Sequence, residues 1–264
     1  MPSSSSPNAD PLRITVIVAV RNERDHIGPA LDALLAQQAT SRATEVVVVD
    51  GGSTDGTAEE VARRANHLAW WTSEPDRGVF DAWNKALDHA TGDWITFLGA
   101  DDRLVDDTAL ARVAPKLHQA AALGARFAYG PCQLYSWRHH RVVDSYNPDP
   151  DELSRTLRAG RFVLHAGTFH HRSLFDGGRR FNSSYRIAGD YAFLLAHLRD
   201  HRPFYLNEPV ARMGIGGMST GTSHRLNWRA FCESLRAYHE VMSGFPWRIY
   251  ARWAYKSYRC LLPR

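Results

Sequence analysis

Cysteine is scarce in this 264-residue chain, and the three present, Cys132, Cys232 and Cys260, are odd in number and far apart. That spacing excludes a disulfide framework and the paired Cys-x-x-Cys ligands of a structural zinc site, and it suits reduced thiols in the cytoplasm. Long apolar runs are missing too, since no stretch reaches the roughly 18 residues that a membrane-spanning helix needs. Met1–Leu12 is rich in Ser and Pro and has no apolar core of a secretory signal. A disordered leader over 1–11 and a cytoplasmic location are therefore expected. No Gly-x-Gly-x-x-Gly opens the first helix and no Walker A loop occurs, which removes the usual phosphate anchors of dinucleotide-binding and P-loop proteins. Gly-x-Ser-x-Gly and His-Glu-x-x-His are also absent, which excludes the common serine-hydrolase and zinc-peptidase signatures.

What is present is a globular composition, 44% hydrophobic and 23% charged, with a formal net charge of +4. The sign is uneven. Residues 70–107 hold nine acids against three cations, a local charge of −6. An acidic stretch in a basic protein argues against a groove that tracks nucleic-acid phosphates, and for a site that recruits a cation first.

Ile14–Val20 is an almost continuous β-branched apolar run, the pattern of a strand covered on both faces. A helical spacing follows over 25–38, a second strand over 45–49, a Gly-rich turn over 50–57 and a helix over 57–65. The next strand is expected at 69–72, a helix at 79–89, and a strand at 94–98 that runs into Asp101-Asp102. Alternating strands and helices predict a doubly wound, mostly parallel sheet, whose ligands bind at the carboxyl ends of its strands. Asp50, the 75–78 loop and Asp101-Asp102 all fall on that edge. Adjacent carboxylates there offer hard oxygen ligands for Mg²⁺ or Mn²⁺, although Asp also ends strands as a plain turn residue. Beyond a helix at 107–123, strands at 127–135 and 141–146 are expected to pair antiparallel across the turn Trp137-Arg138-His139-His140. A helix over 149–160, a strand over 162–170, a helix over 190–199 and a strand region over 204–212 complete the pattern. No Pro/Gly-rich linker and no internal repeat divides it.

Several segments, in this order, carry a resemblance: Ile14–Glu23, Val47–Thr57 with its Asp-Gly-Gly-Ser-Thr-Asp-Gly-Thr, Pro75–Ala86, Gly92–Asp102, His165–Phe169, Ile187–Tyr191 and Gly216–Ser219. Over roughly residues 13–220 the chain resembles family 2 glycosyltransferases of the GT-A fold, closest to the bacterial exopolysaccharide and colanic-acid type. The resemblance implies an α/β, Rossmann-like sheet with a smaller antiparallel acceptor-side portion. It implies inverting, metal-dependent transfer of a hexosyl or N-acetylhexosaminyl group from a nucleotide sugar, a UDP-sugar foremost, to a hydroxyl of a glycan or polyprenyl-diphosphate-linked acceptor. Asp50 would then accept a hydrogen bond from the base, and Asp76 and Arg77 would line the nucleotide pocket. Asp101 would contact the ribose or the Mg²⁺ or Mn²⁺ ion, and Asp102 would coordinate that ion. Asp190 would be the general base, and His165 would touch acceptor or diphosphate. Asp55 reads as a turn-stabilising residue, and His170 and His171 as surface residues at a strand end. Gly51 and Gly99 stand where the family commonly has Asp, which leaves Asp50 and the Asp101-Asp102 pair to carry the binding.

The catalytic domain is expected over 12–225, with a C-terminal helical tail over 226–264. Arg212–Ser219 reads equally as a closing lid or a plain loop. Gly244–Arg264 interleaves aromatic and cationic residues and has no acid, so either an interfacial helix on an anionic bilayer or an aromatic face packed on the domain fits. A sugar-phosphate nucleotidyltransferase and a non-catalytic nucleotide- or glycan-binding module remain as alternatives. The first lacks its Gly-rich loop, since Val20-Arg21-Asn22-Glu23 stands after the first strand.

Overall fold

The apolar run of β1 (Ile14–Val20) is covered on both faces because it lies inside a sheet, paired parallel with β2 (Thr44–Asp50) on one side and β4 (Trp94–Gly99) on the other. β3 (Trp70–Ser73) adds in parallel to β2. Side chains alternate across these strands. Val16, Val18, Val46, Val48 and Leu98 join one buried cluster with Ile27, Leu31, Leu110, Val113 and Leu117. These helical partners lie on α1 (Arg24–Thr40) and α4 (Ala109–Ala122). Ile17, Val47, Val49, Ile95 and Phe97 face the opposite cluster, with Phe80 and Trp83 of α3 (Val79–Leu87) and Leu194 and Leu195 of α6 (Gly189–Leu198). The computed structural model describes residues 12–40, 44–146, 150–160, 163–199, 201–215 and 224–261; the leader over 1–11 and residues 216–219 of the Gly-rich segment Arg212–Ser219 lie outside these.

Beyond β4 the sheet changes direction. β9 (Thr168–His171) runs antiparallel to β4, β6 (Phe127–Tyr129) antiparallel to β9, and β10 (Phe204–Tyr205) parallel to β6, giving the order β10-β6-β9-β4-β1-β2-β3. A second sheet of four strands has the order β5 (Arg103–Leu104), β11 (Ala211–Gly214), β7 (Cys132–Ser136) and β8 (Arg141–Tyr146). The remaining helices are α2 (Thr57–Ala62), α5 (Pro150–Arg158), α7 (His224–Val241) and α8 (Trp247–Leu261). This is the expected mixed α/β, GT-A-like architecture with a large, mostly parallel sheet and a smaller one beside it.

Three expected strands are corrected. The 127–135 run is two strands in different sheets, broken at Gly130-Pro131, where Pro131 has no N–H to continue a ladder. The 204–212 region divides in the same way, into β10 and β11. Of the 162–170 run, residue 162 lies outside the described residues, and within 163–170 strand begins at Thr168, after a 3₁₀ turn over His165–Gly167. His170 is also not a surface residue. β9 lies between β4 and β6, so His170, opposite Ile95 and Phe127, is fully buried. Its ring meets Phe97 and Phe127 at 5.4 and 5.2 Å between centroids.

Candidate active site

The carboxyl ends of β1, β2 and β3 are tied into one loop system. Asp50 closes β2 and is fully buried; its Oδ2 accepts hydrogen bonds from Ser53 N at 3.1 Å and from the Ser73 hydroxyl at 2.5 Å, and its Oδ1 from the Ser53 hydroxyl. Asn22, at the end of β1, donates its N–H to Ser53 Oγ at 2.7 Å and accepts from Thr54 N at 2.9 Å. Asp55 accepts from Thr57 N and Oγ1 and so closes the turn that leads into α2. Asp50, expected to meet a base, thus spends its carboxylate on anchoring this loop. Asp76 takes the neighbouring space: it accepts from Gly78 N at 2.8 Å, and its Oδ2 occupies the place a Cβ at residue 51 would need. Gly51 therefore lets a carboxylate from the next loop approach. Arg77 points away, its guanidinium mostly exposed and paired with Asp81 Oδ1 at 2.8 Å.

At the end of β4, the half-buried Asp102 accepts hydrogen bonds from Gly99 N at 2.7 Å and from Gly214 N of β11 at 3.2 Å. Burial, and then the charge of adjacent Asp101, push its carboxyl up to about 7. A Cβ at residue 99 would stand 3.1 Å from Asp101 Oδ1 and 3.2 Å from Asp102 Oδ2, so the glycine keeps room for both carboxylates. Trp137, in the turn between β7 and β8, donates its indole N–H to the Asp101 carbonyl at 2.7 Å and carries the Arg103 guanidinium over its ring at 5.1 Å. Among the described residues, no three His, Cys, Asp or Glu side chains converge into a complete metal cage. Two like-charged carboxylates, one of them raised by the other, fit a divalent cation that takes its remaining ligands from a bound phosphate.

Asp190 opens α6 and is 7% exposed. Its Oδ1 accepts from Tyr191 N at 2.7 Å, and its Oδ2 lies 3.9 Å from His165 Nδ1. Burial pushes the Asp190 carboxyl up to about 7, with a further upward contribution from the negative charge of Glu233. Burial also lowers His165 to about 3. The imidazole stacks on Trp83 at 4.6 Å, leans on Phe97 at 5.3 Å, and has both nitrogens sealed from solvent. Expected at the acceptor or diphosphate, His165 instead faces Asp190, on a turn that packs against β4 and β11. His165 thereby links Asp190 to β4, the strand that runs into Asp101-Asp102.

Glu233 of α7 carries no sequence signal, yet it holds the approach to Asp190. Its carboxylate accepts from Arg186 N at 3.0 and 3.1 Å, Ile187 N at 2.8 Å and Ala188 N at 2.9 Å. α7 is further joined to this segment by the Tyr185 hydroxyl, which donates to Glu240 Oε2 at 2.8 Å. Arg186 in turn donates from its guanidinium to the Arg77 carbonyl, linking the α6 approach to the 75–78 loop.

Comparison with known proteins bears on the family and the fold. The chain is 33% identical over 184 residues to a PGL/p-HBAD biosynthesis glycosyltransferase of Mycobacterium bovis, covering 68% of this chain and 67% of that protein. In structure it resembles Staphylococcus aureus TarS 1–349 in complex with UDP-GlcNAc, with a TM-score of 0.65, 17% identity, and coverage of 94% and 73%. In another TarS structure the chain spans 44% of the matched protein's length. It also resembles the mannosyltransferase PcManGT from Pyrobaculum calidifontis in complex with GDP-Man and Mn²⁺, with a TM-score of 0.61, 22% identity, and coverage of 96% and 73%. The glycosyl transferase family 2 profile matches residues 15–182, and the chain belongs to that family.

Proposed function

We propose that the chain is an inverting, metal-dependent glycosyltransferase that moves a hexosyl or N-acetylhexosaminyl group from a UDP-sugar to a hydroxyl of a glycan or polyprenyl-diphosphate-linked acceptor, in cytoplasmic polysaccharide biosynthesis. The observation that carries it is the buried Asp190 carboxyl in the first turn of α6, which burial pushes up to about 7 and whose Oδ2 lies 3.9 Å from His165 Nδ1 on the turn packed against β4. A base raised to about 7 suits removal of the proton from an attacking hydroxyl at physiological pH. Its place in the first turn of α6 lets the helix dipole favour the anion that must form. His165 stands behind the Asp190 side chain, 3.9 Å from its Oδ2. Asp101 and Asp102 would hold Mg²⁺ or Mn²⁺, which when bound offsets charge on the departing diphosphate. Asp76 lines the nucleotide side, where Arg77, turned outward to Asp81, contributes its backbone carbonyl to Arg186 instead of its guanidinium, and Asp50 acts through the Ser53 loop that it anchors. The nucleotide sugar in the TarS complex and the Mn²⁺ in the PcManGT complex support the donor and metal classes by analogy of fold.

A thermal-shift panel of UDP- and GDP-sugars with and without Mn²⁺ tests the assignment, because a ligand bound to the native state raises apparent stability. Stabilisation by UDP-sugars only with metal is expected. Stabilisation by GDP-sugars alone, or by either class without metal, would overturn the donor or the metal assignment respectively.

A further inference from the structure

α8 is apolar on more of its circumference than the fold uses. Ile249 is 3% exposed and packs with Trp253 against Phe231, Leu235 and Tyr238, so the inward face is already covered. On the other side Trp247, Tyr250 and Tyr255 are 60%, 41% and 64% exposed, and Phe245, just ahead of the helix, is 71% exposed. These positions recur at i, i+3 and i+8 and share one side of the helix. Phe245 and Tyr250 stack at 5.3 Å, and Trp228 of α7, 54% exposed, stands at the solvent edge of the packed seam, against Trp253 at 5.4 Å. Single exposed apolar residues are ordinary, but a contiguous group of large aromatics marks an interaction surface.

The charge beside this face is of one sign. Arg248 and Arg252 lie one turn apart on α8, Arg252 also donating to the Gly160 carbonyl, and in sequence residues 241–264 add Lys256, Arg259 and Arg264 and contain no Asp or Glu. Arg248 also lies over the Trp247 ring at 5.1 Å. α8 thus has one side packed inward and another aromatic and open, with Arg248 beside it. Trp and Tyr combine an apolar body with a polar tip and collect at bilayer interfaces, while a basic stripe is drawn to anionic headgroups. Among the described residues, no helix is long and apolar enough to cross a membrane. We infer that the outer face of α8, with Phe245 and Trp228, lies in the interface of an anionic lipid bilayer, its aromatics among the headgroups and its arginines against the lipid phosphates.

The experiment reads binding alone and does not depend on the sugar-transfer assignment. The full chain is sedimented with vesicles of phosphatidylcholine and of phosphatidylcholine mixed with phosphatidylglycerol. Binding to the phosphatidylglycerol vesicles, reduced by salt and weakened more than about tenfold in both F245S/W247S/Y255S and Arg248→Glu, is expected. Unchanged circular dichroism of these variants separates lost binding from lost folding. No binding to either vesicle, equal binding to both, or full retention in the triple variant would overturn the inference. Self-association that the triple variant abolishes, without vesicle binding, would also overturn it and assign the face to a second copy of the chain.

Discussion

Replacing Glu233 by Gln isolates the link between the C-terminal helices and the reacting side chain. The wild-type carboxylate serves three backbone N–H groups, two at Oε2 and that of Arg186 shared between both oxygens. Gln keeps one oxygen for Ile187 and Ala188 but turns an NH₂ toward Arg186 N, so one charge-assisted hydrogen bond becomes a contact between donors. A hydrogen bond to a charged group contributes about 1.5–3 kcal/mol, and for a chain of this size a loss of about 2 kcal/mol lowers the thermal midpoint by roughly 4–8 °C. The larger effect is expected in catalysis: residues 186–188 lead directly into Asp190, and misplacement of a reacting group by about 1 Å costs up to about 10²-fold. Steady-state transfer assays should show kcat falling by about 10- to 100-fold while donor Kd by calorimetry is unchanged. The pH profile gives a second readout. Activity should rise as Asp190 loses its proton near 7, and removing the Glu233 charge, which raises that group, moves the acidic limb to lower pH. A folded Glu233→Gln protein with wild-type kcat and an unmoved limb would refute the reasoning.

Asp190→Asn should remove transfer by about 10²- to 10⁴-fold while leaving UDP binding intact, measured by product formation and calorimetry. Asp102 must shed a proton held at about 7 before it can take a metal, so the thermal shift given by Mn²⁺ with UDP should grow from about pH 6 to about pH 8, and Asp102→Asn should flatten it. In the metal-free protein the same raised group binds more protons folded than unfolded over about pH 4 to 7. Its contribution to stability therefore falls as pH rises through that window, and Asp102→Asn should remove that decline in a chemical-denaturation series. Gly51→Ala places a Cβ where Asp76 Oδ2 now sits and should weaken donor binding by about tenfold or more, with little change in thermal midpoint because only the end of the Asp76 side chain has to shift.

The parallel half of the sheet was legible because it is written locally. β-Branched runs such as Ile14–Val20 and Thr44–Asp50 report cover on both faces without reference to their partners, and Asp101-Asp102 follows its strand by sequence alone. The second half was not. β6 and β7 read as one strand because periodicity cannot see that Gly130-Pro131 sends the chain to another sheet, and His170 read as exposed because burial there depends on β4 and β6 flanking β9. The tail offered two readings, and the structure shows one face of α8 packed while the other stays open.

By itself, then, the sequence determined the strands covered on both faces, the acidic edge and the residue types available for chemistry, all properties of short segments. Tertiary structure alone decided that Asp76 fills the space beside Gly51, that His165 faces Asp190 rather than solvent, and that Glu233 holds the amides 45 to 47 positions before it. Those relations arise when elements far apart in the chain dock through shape and shared hydrogen bonds, and neither burial periodicity nor motif spacing encodes which donors and acceptors will meet.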